Sequence, residues 1–166
     1  MKLKFKRVST QVQAPDLATS GSACFDVCAY LPEGSEVVGY SPLSAEKKTV
    51  QVKDGVIKFS HLSRLMVPTG IHLEIPVGYS VKIYPRSGNS IKKGYSLCNS
   101  VGVVDSDFRD EVKILMINYG HDSFIQDGDR VAQMELVKVE DLALEEIEDV
   151  ADAGTERKGG FGSTGK

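Results

Sequence analysis

At 166 residues the chain has the length of one ordinary domain, enough to bury a core without disulfides or metals. With 41% hydrophobic residues, 26% charged residues and a net charge of −3, it lacks the basic excess of a general nucleic-acid binder. It also lacks any apolar run near the roughly 20 residues that span a bilayer, so neither a membrane nor a nucleic acid is expected as a partner.

The basic start, Met1-Lys2-Leu3-Lys4-Phe5-Lys6-Arg7, is followed by no apolar core of a signal peptide. Cys24, Cys28 and Cys98 are too few for a disulfide framework, so a reducing, cytoplasmic setting is expected. Lys2-Leu3-Lys4-Phe5-Lys6 alternates at period two and predicts a strand. Ser20-Gly21-Ser22-Ala23-Cys24-Phe25-Asp26-Val27 adds a carboxylate, Asp26, whose role is open between catalytic, metal-linked and turn-forming. Residues 31–62 mix turn residues with β-like pieces such as Val50-Gln51-Val52-Lys53, and read as an insertion or an extended hairpin.

Strands follow at Gly70-Ile71-His72-Leu73-Glu74-Ile75 and Tyr79-Ser80-Val81-Lys82-Ile83-Tyr84, punctuated by Pro68, Gly70, Pro76, Gly78, Pro85 and Gly88. Pro85-Arg86-Ser87-Gly88-Asn89-Ser90 offers a guanidinium that can fork onto phosphate oxygens, hydroxyls, and turn N–H groups that can cradle an anion. The same residues also make an ordinary turn. Gly102-Val103-Val104-Asp105-Ser106-Asp107-Phe108-Arg109-Asp110 places Asp105 and Asp107 on one side of a hairpin beside an aromatic, although a turn-forming Asx cluster is the plainer reading of those residues alone.

Glu111-Val112-Lys113-Ile114-Leu115-Met116-Ile117 predicts another strand. Gly128-Asp129-Arg130-Val131-Ala132-Gln133 then leads into the strand Met134-Glu135-Leu136-Val137, with Asp129 and Arg130 read as a structural pair and Gln133 as facing a ligand. Across residues 140–153 the apolar Leu142, Leu144, Ile147 and Val150 fit neither period, which leaves a helix and a strand running into an acidic linker equally open. Residues 154–166 are glycine-dense and carry too few apolar side chains to fold alone. Phe161, set among glycines with hydroxyl and basic groups on both sides, gives such an arm the means to stack on a base and wrap a phosphate.

Many short strands with hardly any helical period predict an all-β fold, a β-barrel or jelly roll over residues 1–153, with a flexible arm after it. His61, His72 and His121 show no metal-ligand spacing, and Cys24 and Cys28 lack that of a zinc knuckle. No P-loop or dinucleotide fingerprint is present. No histidine lies beside Ser87 in sequence to suggest a hydrolase triad.

Five blocks, in order, resemble the five motifs of the trimeric dUTPase family. They are Ser22-Ala23-Cys24-Phe25-Asp26-Val27, Pro85-Arg86-Ser87-Gly88, Gly102-Val103-Val104-Asp105-Ser106-Asp107-Phe108, Gly128-Asp129-Arg130-Val131-Ala132-Gln133 and Gly159-Gly160-Phe161-Gly162-Ser163-Thr164-Gly165. Val67-Pro68-Thr69-Gly70 and Ile75-Pro76-Val77-Gly78-Tyr79 resemble the family's connecting strands. The resemblance covers nearly the whole chain outside residues 31–62.

What it implies is hydrolysis of dUTP to dUMP and pyrophosphate, which keeps uracil out of DNA and supplies dUMP for dTMP synthesis. It further implies a homotrimer, and Mg²⁺ held by the triphosphate with no direct protein ligand. Asp105 resembles the general base that activates the attacking water, and Asp26 a carboxylate supporting the metal through water. Arg86, Ser87, Gly88 and Gln133 match phosphate contacts, as do Arg157, Ser163 and Thr164 of the arm. Asn99, Gly102, Val103, Val104 and Lys113 match the uracil pocket, Phe108 the ring under deoxyribose, and Phe161 the arm's stacking ring over a neighbouring subunit's site.

The chain departs from the family pattern at Cys24 for glycine, Asn89-Ser90 for Leu-Ala, Phe108 for tyrosine and Asp110 for glycine. Its arm is one residue shorter between Arg157 and Phe161, which makes Lys158 a second candidate for the arm's phosphate cation. Two other readings share the fold. A dCTP deaminase needs a glutamate motif absent around residues 103–110, and a trimeric binding or regulatory protein would present residues 31–62 as its surface.

Overall fold

Period-two alternation becomes strand after strand in the computed structural model, which describes residues 2–42, 44, 46–152 and 154. In chain order these are β1 (Lys4–Arg7), β2 (Asp16–Leu17), β3 (Phe25–Cys28), β4 (Glu36–Tyr40), β5 (Lys47–Gln51), β6 (Val56–Phe59), β7 (Arg64–Pro68), β8 (Ile71–Glu74) and β9 (Tyr79–Tyr84). A short helix α1 (Ser87–Lys93) follows, then β10 (Tyr95–Leu97), β11 (Gly102–Val104), β12 (Lys113–Asn118), β13 (Ser123–Gln126) and β14 (Arg130–Lys138). Residues 140–152 form neither helix nor strand, and their apolar side chains Leu142, Leu144, Ile147 and Val150 are exposed. Arg157, Lys158, Phe161, Ser163 and Thr164 of the arm lie outside the described residues.

The strands pair antiparallel into two five-stranded sheets, β10-β12-β7-β4-β5 and β11-β9-β14-β3-β2. Two-stranded ladders β1-β8 and β13-β6 complete an all-β, jelly-roll-like fold. Val67, Ile114 and Met116 from the first sheet and Val27, Val81, Ala132 and Met134 from the second belong to one buried cluster, so the apolar faces of both sheets close on a shared core. Within residues 31–62, β4 and β5 form an antiparallel hairpin and β6 pairs with β13.

The stretch from Arg86 to Ser90 is not the expected turn. Ser87 opens α1, which Gly94 closes in the left-handed conformation (φ 72) while donating its N–H to the carbonyls of Asn89 and Ser90. The helix end rests on Gly120, where an added Cβ would lie 2.1 Å from the Lys93 carbonyl oxygen. Asn118, fully buried, ties this corner together. Its Nδ2 donates to the carbonyls of Phe59 (2.7 Å) and His121 (2.8 Å), and its Oδ1 accepts the Gly120 N–H (2.8 Å).

Candidate active site

One cleft of about 720 Å³ opens beside β11 and β12. Asn99, Gly102, Val103, Val104, Asp105, Phe108 and Lys113 all line it, so residues spread over fifteen positions of sequence meet around one space. Among the described residues β11 is an edge strand, paired only to β9 through Gly102↔Ile83, Val103↔Lys82 and Val104↔Val81. Its outer side therefore leaves backbone N–H and C=O groups free to meet a planar hydrogen-bonding partner. Gly102 has to be small, because a Cβ there would stand 3.0 Å from that of Ile83. The approach to β11 passes through Ser100 in the left-handed conformation (φ 61), an uncommon state for a serine. Its neighbour Val101 donates to the Asn99 carbonyl at 2.6 Å.

The turn after β11 is stapled from within. Phe108 N–H donates to the Asp105 carbonyl at 3.2 Å, and Arg109 Nη1 donates to the carbonyls of Ser106 (2.6 Å) and Phe108 (2.9 Å). His72 Nδ1 lies 2.9 Å from the Arg109 carbonyl and so carries the donated proton. Glu111 accepts the Gly70 N–H at 2.7 Å, and Thr69 donates to the Val112 carbonyl at 2.6 Å. Asp110 is not among the described residues with positive φ, so the turn accommodates a side chain where glycine is usual. Arg109, His72 and Glu111 are supports that the sequence did not single out, since their partners are backbone groups, within the turn for Arg109 and distant in sequence for His72 and Glu111.

A second cleft of about 480 Å³ is lined by Ser22, Cys24, Asp26, Arg86, Ser87, Gly88 and Gln133. Gln133 faces both Asp26 on β3 and Tyr84 on β9 across β14, and its Nε2 donates to the Pro85 carbonyl at 2.9 Å. Arg86 grips Asp26 with two bonds, Nε to Oδ1 at 2.7 Å and Nη2 to Oδ2 at 3.2 Å. Arg130 Nη1 adds a third at 3.1 Å. Arg130 therefore pairs with Asp26 and not with Asp129, whose Oδ2 instead accepts the Gln126 N–H. Burial first, then the charges of Glu135 and Asp26, push the Cys24 thiol up, which keeps it protonated near neutral pH.

Among the described residues no three His, Cys, Asp or Glu side chains converge as a metal cage. Asp26 accepts three hydrogen bonds from arginines, and a carboxylate has about four lone-pair sites, so one remains for a water. That donor set suits a cation reached through water and held chiefly by a ligand's own oxygens.

The all-β, jelly-roll-like domain thus carries a large cleft beside the free edge of β11 and a separate cleft holding Arg86. The sequence profile of the dUTPase family matches residues 50–165, and the chain belongs to that family. It is 37% identical to a deoxyuridine 5′-triphosphate nucleotidohydrolase of Caulobacter vibrioides over 166 residues, covering 98% of this chain and 94% of the relative. A namesake from Finegoldia magna is 46% identical over 110 residues, 66% of this chain and 76% of that one. The dUTPase of Staphylococcus bacteriophage 80alpha, solved with dUPNHPP, shares the fold at a TM-score of 0.72 and 18% identity, covering 99% of both chains.

Proposed function

We propose that this chain hydrolyses dUTP to dUMP and pyrophosphate, keeping uracil out of DNA and supplying dUMP for dTMP synthesis in the cytoplasm. The observation that carries the reading is the convergence of Asn99, Gly102, Val103, Val104, Phe108 and Lys113 on the same cleft as Asp105. Uracil pairs with the free edge of β11. Buried, fixed donors and acceptors reject the wrong base because they would be left unpaired. The Phe108 ring lies under deoxyribose and leaves no room for a 2′-hydroxyl.

Asp105 takes a proton from water, whose oxygen attacks the α-phosphorus. The bond to the β-phosphate bridging oxygen breaks and pyrophosphate leaves. Arg86, the N–H groups and hydroxyl at Ser87 and Gly88, and Gln133 stabilise the charge on the phosphate oxygens. Arg157, Ser163 and Thr164 complete that set when the arm closes with Phe161 over the base. Mg²⁺ would be held chiefly by the triphosphate and would supply charge neutralisation there, with Asp26 as the residue that would support it through water.

The register of the second sheet supports a site shared between subunits, as the homotrimer proposed for this chain would provide. Asp105 follows Val104, which is level with Val81, so it stands at the Ser80 end of β9, while Arg86 extends from the other end. Six residues of strand separate those levels, on the order of 20 Å. The two clefts share no lining residue. One chain's base therefore cannot serve a phosphate held by its own Arg86, whereas a site pooled between subunits joins them.

The test is pyrophosphate release from dUTP, dTTP, dCTP and UTP with Mg²⁺, for the wild type and Asp105→Asn. Fast release from dUTP alone, slowed about 10²–10⁴-fold by the substitution, is expected. Ammonia from dCTP would instead support a deaminase, and no release from any of the four would leave a binding protein.

A further inference from the structure

Adjoining the phosphate cleft through the shared Arg86 is a smaller hollow of about 170 Å³. Its polar walls are Arg86, Asn89, Lys93, Tyr95, Asp129 and Arg130. The hollow would hold about six waters at their liquid volume of ~30 Å³ each, enough for one tetrahedral oxyanion and too little for a nucleoside.

The charges favour an anion. Three cations, Arg86, Lys93 and Arg130, face the hollow together with one carboxylate, Asp129. Asp129 Oδ2 is occupied by the Gln126 N–H at 3.1 Å. Asp26 offsets part of the positive charge, but from outside the hollow, and its single charge is shared by Arg86 and Arg130. Among the described residues Lys93 pairs with no carboxylate, and its Nζ sits 5.5 Å from the centroid of the Tyr95 ring. Asn89 spends one Nδ2 hydrogen on the Arg130 carbonyl at 2.9 Å, which fixes α1 against the start of β14 and leaves its other amide hydrogen to give. Two guanidiniums and an ammonium around a phosphate-sized space are the donor set that phosphoryl oxygens select.

We propose that this hollow is a second anion seat that takes one phosphoryl group, and that its occupant is pyrophosphate straddling Arg86, one end here and the other against Ser87 and Gly88. The seat rests on charge and shape; pyrophosphate as its occupant rests on the hydrolysis proposed above. A product held at both ends leaves slowly, so pyrophosphate is expected to inhibit turnover.

Calorimetric titration of the full-length protein with pyrophosphate, inorganic phosphate and dUMP tests the seat. Pyrophosphate is expected to bind more tightly than inorganic phosphate. Lys93→Ala is expected to weaken it about tenfold, while Lys92→Ala, which removes the same charge one position earlier, leaves it unchanged. Unaltered dUMP binding shows that the Lys93→Ala protein is folded, and Lys93→Gln serves the same purpose should the alanine variant fail to fold. Equal losses from the two lysines, or no pyrophosphate binding to a wild type that turns over dUTP, would overturn the seat and leave the hydrolysis standing. Lys93-dependent pyrophosphate binding in a protein inert toward dUTP would do the reverse.

Discussion

Asp26 holds two arginines while only 15% of its side-chain surface meets solvent, so its charge is worth more than that of an exposed pair. Asp26→Asn keeps the shape and removes the charge, leaving Arg86 and Arg130 to repel each other. With Arg130 still 55% exposed, water relieves part of that cost, and a loss of roughly 2 kcal/mol is expected in urea unfolding. An unchanged midpoint would mean the cluster contributes no more than a surface pair. The thiols make a separate pH argument. Burial is the largest cause pushing Cys24, Cys28 and Cys98 up, and each is neutral when protonated. The folded chain keeps these protons after the unfolded chain begins to lose them near pH ~8.5. Their contribution to stability is thus fully present below that pH and declines above it. Melting temperatures from pH 8 to 10 should fall less steeply in a variant with all three replaced by serine, and equal slopes would remove the thiols from the account.

At the scale of elements, the corner held by Asn118 is where a single side chain controls three segments. Asn118→Leu orphans the His121 carbonyl and the Gly120 N–H, while the Phe59 carbonyl keeps the Ser123 hydroxyl at 3.2 Å, and the change is expected to cost about 2 kcal/mol by denaturant titration. A loss under 1 kcal/mol would show that water satisfies these groups. The same corner marks a limit of what the sequence reveals. β9 was legible to the residue because an alternating run sits between Gly78 and Pro85. α1 was not, since Gly88, Asn89 and Ser90 have low helical propensity, and the helix is anchored by Gly94 closing its last turn against Gly120. Local pattern also could not foresee that Arg130 would choose Asp26, 104 positions away, over adjacent Asp129.

For the whole molecule, the motifs were readable one by one because each is contiguous, but their division between two clefts belongs to strand register, which no local pattern encodes. That division predicts complementation. Asp105→Asn and Arg86→Ala proteins, each inactive, are mixed in equal amounts, unfolded and refolded together. Random assortment in a closed ring gives about a quarter of sites both an intact Asp105 and an intact Arg86, so about a quarter of wild-type activity returns. No recovery would place both residues of a site in one chain. β9 therefore acts as a spacer of fixed length between the two clefts. A residue gained or lost within it would reverse its inward and outward faces, and even a matched pair would shift one cleft by about 7 Å relative to the other. The turn joining β4 to β5 bears no such burden. Among relatives, insertions and deletions should accumulate in that turn and be purged from β9, whose length would be inherited more strictly than most of its side chains.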